Sequence, residues 1–151
     1  LAARNAGLEI PDTAIKKALD YYQSCQSTDG GFGYTSPGSS NGPTSAIGTL
    51  VYALARKKKS AVYKAAIAFL SQGRGSQRNY YQYYYLYYAS QAMFHSTPEK
   101  WAAWNKNNIA QLEAAQQADG SWTGSHGTAF CTSGALLSLA LNFRFLPIYE
   151  R

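Results

Sequence analysis

The sequence predicts an all-α fold built from three helical hairpins, and three observations carry that reading. Apolar residues recur at helical spacing in six segments, several of which open on a capping residue or a well-placed proline. No segment alternates apolar and polar residues between turn signals, as a half-buried strand would. A short pattern, Gln-x-x-Asp-Gly-x-aromatic, also occurs twice. Gln26, Asp29, Gly30 and Phe32 return as Gln116, Asp119, Gly120 and Trp122, an offset of 90 residues. That offset is too long for one hairpin and fits two of about 45 residues each, the scale of helical repeat arrays.

The helices follow in order. The first starts at Pro11-Asp12, proline being suited to a helix start, and buries Ile15, Leu19 and Tyr22 along one stripe. The second is expected from about Thr44 to Lys57. The third begins at a Ser60 cap and carries Val62, Ala66 and Phe69. The fourth holds a run of tyrosines and reaches about Phe94. Thr97-Pro98-Glu99 opens the fifth with a cap, a proline at the first helical position and an acid in the first turn; Trp101, Trp104, Ile109 and Leu112 follow. The sixth spans about Thr128 to Phe143, and Pro147 ends whatever lies beyond. The second and sixth helices are nearly free of charge on every side, so they must be covered on every side, whereas the odd-numbered helices carry Lys and Glu and face water. An outer and an inner layer follow. Repeats are expected at about 11–57, 60–95 and 97–144 of a single unit covering residues 1–151. The middle repeat is degenerate: Phe69-Leu70-Ser71-Gln72-Gly73 ends its first helix, but no Asp-Gly-aromatic comes after it.

Composition narrows the function. A chain of 151 residues with 46% hydrophobic and 15% charged residues is neither disordered nor a coiled coil. No stretch approaches the ~20 apolar residues of a membrane span, and the first residues do not form a secretory leader. The lack of an initiator Met is expected of a piece cut from a longer chain. Of the net charge of +6, the local excess is Arg56-Lys57-Lys58-Lys59, read as the solvated C-terminus of a helix rather than a nucleic-acid surface. Cys25 and Cys131 are too few for a disulfide framework and are expected as two separate thiols. His126 and Cys131 lack two further zinc ligands, so no metal and no cofactor are expected. His95 sits where a helix C-terminus favours it.

Tyrosine is the unusual residue: 13 in all, seven of them between Tyr80 and Tyr88. On a helix Tyr80, Tyr84, Tyr87, Tyr88 and Gln91 fall along one side. They are the candidate ligand-binding residues, as an aromatic cavity wall. An inner helix packed on both sides is the alternative that the pattern leaves open.

The repeated motif has mechanical roles. Glycine supplies the positive φ that ends a helix sharply, Asp accepts main-chain N–H bonds in the turn, the aromatic covers the hairpin end, and the Gln amide bridges main-chain groups. Tyr22-x3-Gln26-x3-Gly30-Gly31-Phe32 and Leu112-x3-Gln116-x3-Gly120-Ser121-Trp122 resemble the QW repeat of squalene and oxidosqualene cyclases. They also resemble repeats of protein prenyltransferase β subunits and of thioester-containing complement-type domains. Tyr87 to Phe94, Trp101-x-x-Trp104-Asn105, Asp119-Gly120-Ser121-Trp122 and Phe145-Leu146-Pro147-Ile148-Tyr149-Glu150-Arg151 look like the tail of uncharacterised bacterial squalene-cyclase-like proteins. The resemblance implies an α/α toroid, of which three hairpins make roughly half of a six-hairpin barrel.

The catalytic groups of those families have no counterpart here. Triterpene cyclisation uses an Asp-x-Asp-Asp cluster, and Asp12, Asp20, Asp29 and Asp119 are isolated; Asp-x-Cys and the thioester motif do not occur. The expectation is therefore a non-catalytic domain that binds an apolar small molecule or a protein partner. The alternative is the C-terminal part of an isoprenoid cyclase or prenyltransferase whose catalytic residues lie upstream. Half a barrel leaves inner helices uncovered, so Tyr84, Tyr88, Leu137 and Leu141 are expected on an open apolar face, covered by a missing N-terminal half or by self-association.

Overall fold

In a computed structural model, residue 3 and residues 6–74 and 80–143 are described, and all six expected helices are present among them. They are α1 (Asp12–Ser24), α2 (Gly42–Leu54), α3 (Ala61–Ser71), α4 (Gln82–Phe94), α5 (Pro98–Ala115) and α6 (Thr128–Ala140). No strand occurs among the described residues, only an isolated bridge between Gln26 and Phe32. The motif at residues 145–151, the terminator Pro147 and the turn of the middle repeat at 75–79 lie outside the described residues.

Local chemistry accounts for the boundaries. Asn41 Oδ1 accepts the Thr44 N–H at 3.1 Å, Ser60 Oγ that of Tyr63 at 3.2 Å, and Thr97 Oγ1 that of Lys100 at 3.4 Å, so α2, α3 and α5 open on side-chain caps. The Asn41 cap starts α2 two residues before Thr44. Its end is also earlier than expected, at Leu54. Arg56 adopts φ 59°, and the N–H groups of Arg56 and Lys57 turn back to the carbonyls of Ala53 and Tyr52. This is the Schellman closure with arginine at the position glycine usually holds. The basic tetrad therefore folds over the helix end instead of extending the helix. The sixth helix is likewise shorter than expected, ending at Ala140.

The helices form two layers. Inner helices α2, α4 and α6 lie side by side with α4 in the middle, and α3 packs on α2 and α4 while α5 packs on α4. Small residues let α4 serve two neighbours: Ala89, Ser90 and Ala92 are fully buried. A glycine brings α6 close to α4: a Cβ at Gly134 would lie 3.0 Å from the Tyr83 carbonyl oxygen. Gly48 of α2 makes room for the first turn, since a Cβ there would lie 2.6 Å from the Phe32 ring. The outer helices are amphipathic as the charge pattern requires; α1 buries Leu19, whose carbonyl accepts the Tyr52 hydroxyl at 2.9 Å. Cys25 and Cys131 are both buried free thiols. Leu141, expected on an open face, is fully buried with Phe94 and Trp101, because the turn after α6 folds onto the end of α4.

Candidate functional site

Two features of the structure bear on the site: the repeated turns, and the aromatic residues over the N-terminal ends of the inner helices.

The turns share one hydrogen-bond plan. In the first, the Gly31 N–H binds Asp29 Oδ1 at 3.0 Å and the Gln26 amide donates to the Gly30 carbonyl at 3.0 Å. In the second, the Ser121 N–H binds Asp119 Oδ1 at 3.0 Å and the Gln116 amide donates to the Gly120 carbonyl at 2.8 Å. Gly30 and Gly120 have φ of 90° and 83°, the left-handed region the turn demands. Each aromatic is gripped at its main chain by the following inner helix. Phe32 N–H donates to Ser45 Oγ at 2.9 Å and its carbonyl accepts from Thr44 Oγ1 at 2.6 Å; Thr132 Oγ1 makes both bonds to Trp122, at 3.1 and 3.3 Å. Phe32 is 1% exposed and packs between Tyr22 and Tyr52; Trp122 is 4% exposed, and its indole N–H donates to the Leu112 carbonyl at 2.8 Å. All eight motif residues thus sit in the turns. The Ser121 hydroxyl and N–H hold the Asp119 carboxyl below the ordinary carboxylate range, an effect on an exposed group.

Tyrosines before and along α4 form two groups of touching rings. Tyr80 and Tyr81, just before α4, stack around His126, with ring centres 4.4 and 5.3 Å away, and His126 contacts Phe130 of α6 at 5.1 Å. Farther along α4, Tyr88 meets Tyr84 at 4.9 Å and Tyr87 at 4.8 Å. Burial, then the Tyr84 hydrogen bond and the neighbouring Tyr84, Tyr87 and Tyr22, push the Tyr88 hydroxyl up to about 12. Between the groups runs a groove of about 680 Å³ lined by Tyr34, Asn41, Pro43, Thr44 and Ile47 on one bank, Tyr81 and Tyr84 below, and His126 and Phe130 opposite. A side recess of about 150 Å³ shares Tyr34, Thr44 and Ile47 with it and reaches Tyr22 and Cys25. Among the described residues that line it, none carries a carboxylate or an ammonium group.

Of the predicted wall, Tyr84 lines the groove and Tyr80 borders it through Tyr81 and His126. Tyr87 and Tyr88 are half-buried on the flank and support Tyr84. Gln91 is 3% exposed, and its amide donates back to the Tyr87 carbonyl at 3.1 Å, so it belongs to the packed interior and not to the wall. Tyr34, His126 and Phe130 escaped the sequence reading as groove residues, His126 entering it only as an incomplete zinc site, because they come from loops and a helix start far apart in the chain. His126 and Phe130 flank the start of α6; Tyr34, in the loop before α2, carries no such positional signal. Tyr85 faces the opposite side. It points toward a cavity of about 340 Å³ between α3, α4 and α5, where its hydroxyl and Asn108 Oδ1 have no hydrogen-bond partner among the described residues. Burial pushes that hydroxyl up to about 12, against a weaker opposing effect of the Trp104 side chain.

Among the described residues no group of three His, Cys, Asp or Glu side chains gathers in a metal-binding arrangement, and no helix is long and apolar enough to cross a membrane. Compared with protein families, curated proteins and solved structures, the chain matches none of them.

Proposed function

We propose that this chain is an α/α-toroid-type helical-repeat module, non-catalytic as it stands, that binds an apolar small molecule in the aromatic groove over the N-terminal ends of α2, α4 and α6. The observation that carries the reading is the groove itself: Tyr34, Tyr81, Tyr84, His126 and Phe130 line an open groove of about 680 Å³, with no carboxylate or ammonium group among the described lining residues. Concave sites lined by apolar and aromatic groups, with few polar atoms, are where apolar ligands bury most of their surface. Three carboxylates are engaged elsewhere: Asp29 accepts the Gly31 N–H and the Ser40 hydroxyl, Asp119 accepts the Ser121 N–H, and Asp20 pairs with Lys16. Among the described residues no Asp or Glu lines the groove to protonate a substrate. The two-layer order of helices supports the toroid-type reading, since alternate helices line the inner side as that architecture requires.

Calorimetric titration with a C15 isoprenoid alcohol, farnesol, tests the reading. Saturable 1:1 binding is expected, weakened about tenfold or more in Tyr84→Ala and Phe130→Ala, a change equivalent to losing one good aromatic contact of ~1.5 kcal/mol. Binding that is absent, or indifferent to both substitutions, contradicts it.

A further inference from the structure

The two repeated turns differ in what lies against them. The first is a filled seat. Beyond the turn, the Gln26 amide reaches the Val62 carbonyl in the first turn of α3 at 2.9 Å, and a Cβ at Gly30 would lie 2.6 Å from the Ala65 carbonyl oxygen. The second has the same donor in the same place, yet among the described residues the Gln116 amide binds only Gly120. A Cβ at Gly120 would meet nothing nearer than that amide, at 3.8 Å. Beside this seat α6 turns an apolar side outward, with Leu136 53% and Leu137 39% exposed. Repeat arrays bury each unit against the next, so an end without a polar outer face leaves such surface open.

We propose that the seat at Gln116–Gly120, with the adjoining face of α6, receives the α1–α2 hairpin of a second copy of this chain. The first seat shows what fits: the opening turn of an outer helix, with its inner helix alongside. The opening turn of α3 fills that seat, and the opening turn of α5 lies against the end of α3, where Lys100 Nζ approaches Ser71 Oγ at 3.5 Å. Among the described helices α1 comes before the first repeated turn, and the helix it chiefly packs on is its own partner α2. Next to it, between α1 and α2, runs a recess of about 770 Å³ lined by apolar Ile15, Ala18, Leu19, Val51 and Leu54 and by charged Asp12, Arg56 and Lys57. Within one chain α2 already packs against both helices of the hairpin that follows, so α6 entering between α1 and α2 of a copy repeats an internal packing. The contact joins unlike surfaces head to tail, which yields a ring or an open chain of copies. It rests on the helical-repeat part of the proposed function and not on the ligand. A groove that fails to bind farnesol leaves it standing.

Sedimentation velocity of the whole chain over a concentration series, with two variants at exposed positions, tests it. Leu136→Asp spoils the seat side and Ala18→Arg the recess side, and helical content by circular dichroism is expected to be unchanged in both. The wild type is expected to rise above the 16.5 kDa monomer as concentration increases. Each variant alone is expected to stay monomeric, and an equimolar mixture to form a 1:1 pair, because the intact recess of one meets the intact seat of the other. A wild type that stays monomeric to about 1 mM, where even millimolar contacts are half-populated, overturns the proposal. So does self-association retained in either variant, including Ala18→Arg assembling through α6 alone, or a mixture that remains monomeric.

Discussion

The turn at Gln26–Phe32 and the turn at Gln116–Trp122 are built from the same hydrogen bonds, and their surroundings are opposite. In the first, Gly30, Gly31, Phe32 and Gly33 are all buried; in the second, Trp122 alone is buried, while Gly120 is exposed. The sequence records the difference at two glycines, Gly31 and Gly33, the latter corresponding to Thr123. Gly31 corresponds to Ser121, and a Cβ at Gly31 would lie within 2.8 Å of the Phe69 ring of α3 and of Ser45 Oγ. No such neighbour constrains the second turn, so serine fits there. The lesson is that the motif has two separable layers. Asp, the positive φ of the first Gly, the aromatic and one Gln hydrogen bond close a hairpin onto itself, whereas the second Gln hydrogen bond and the close approach allowed by both glycines join that hairpin to the next one.

The largest expected effects concern the layer both turns share. Phe32→Ala and Trp122→Ala each remove a buried aromatic from a packed hairpin end, and each is expected to cost ~3–5 kcal/mol in urea denaturation. Trp122→Ala also orphans the Leu112 carbonyl. A midpoint unmoved by either change would remove the aromatic from the structural role assigned to it.

The glycines separate the turns. Gly30→Ala meets both an unfavourable positive φ and the Ala65 carbonyl, and is expected to cost ~3 kcal/mol; Gly120→Ala meets only the φ strain, ~1 kcal/mol. Exchanging one distinguishing residue sharpens this further. Gly31→Ser is expected to cost ~1–3 kcal/mol by overpacking against Phe69, and Ser121→Gly a fraction of that. Equal losses at the two turns, read from the same denaturation curves, would erase the distinction.

Much of the helical framework was legible in the sequence because its determinants are local. Caps at Ser60 and Thr97, the proline before α1 and the 3.6-residue stripe of Ile15, Leu19 and Tyr22 act within one or two turns of chain. The early end of α2 was not, because arginine at a left-handed position is a rare substitute for glycine and the tetrad reads as helix-forming. The candidate site was half legible. Periodicity put Tyr84 and Gln91 on one side of a helix but could not tell a groove-lining position from a packed one, and Gln91 is buried. Tyr34, His126 and Phe130 are brought together by the side-by-side packing of three helices, and no local pattern encodes that. The open seat was invisible as well, since the sequence carries Gln116 whether or not anything accepts its second hydrogen.

The central claim, one turn filled and its twin open, is tested most directly by hydrogen exchange of two side-chain amides measured by NMR. In dilute protein the Gln26 amide, part-buried and bonded to both Gly30 and Val62, is expected to exchange at least tenfold more slowly than the exposed Gln116 amide, which has Gly120 alone. Equal exchange rates at low concentration would contradict the account.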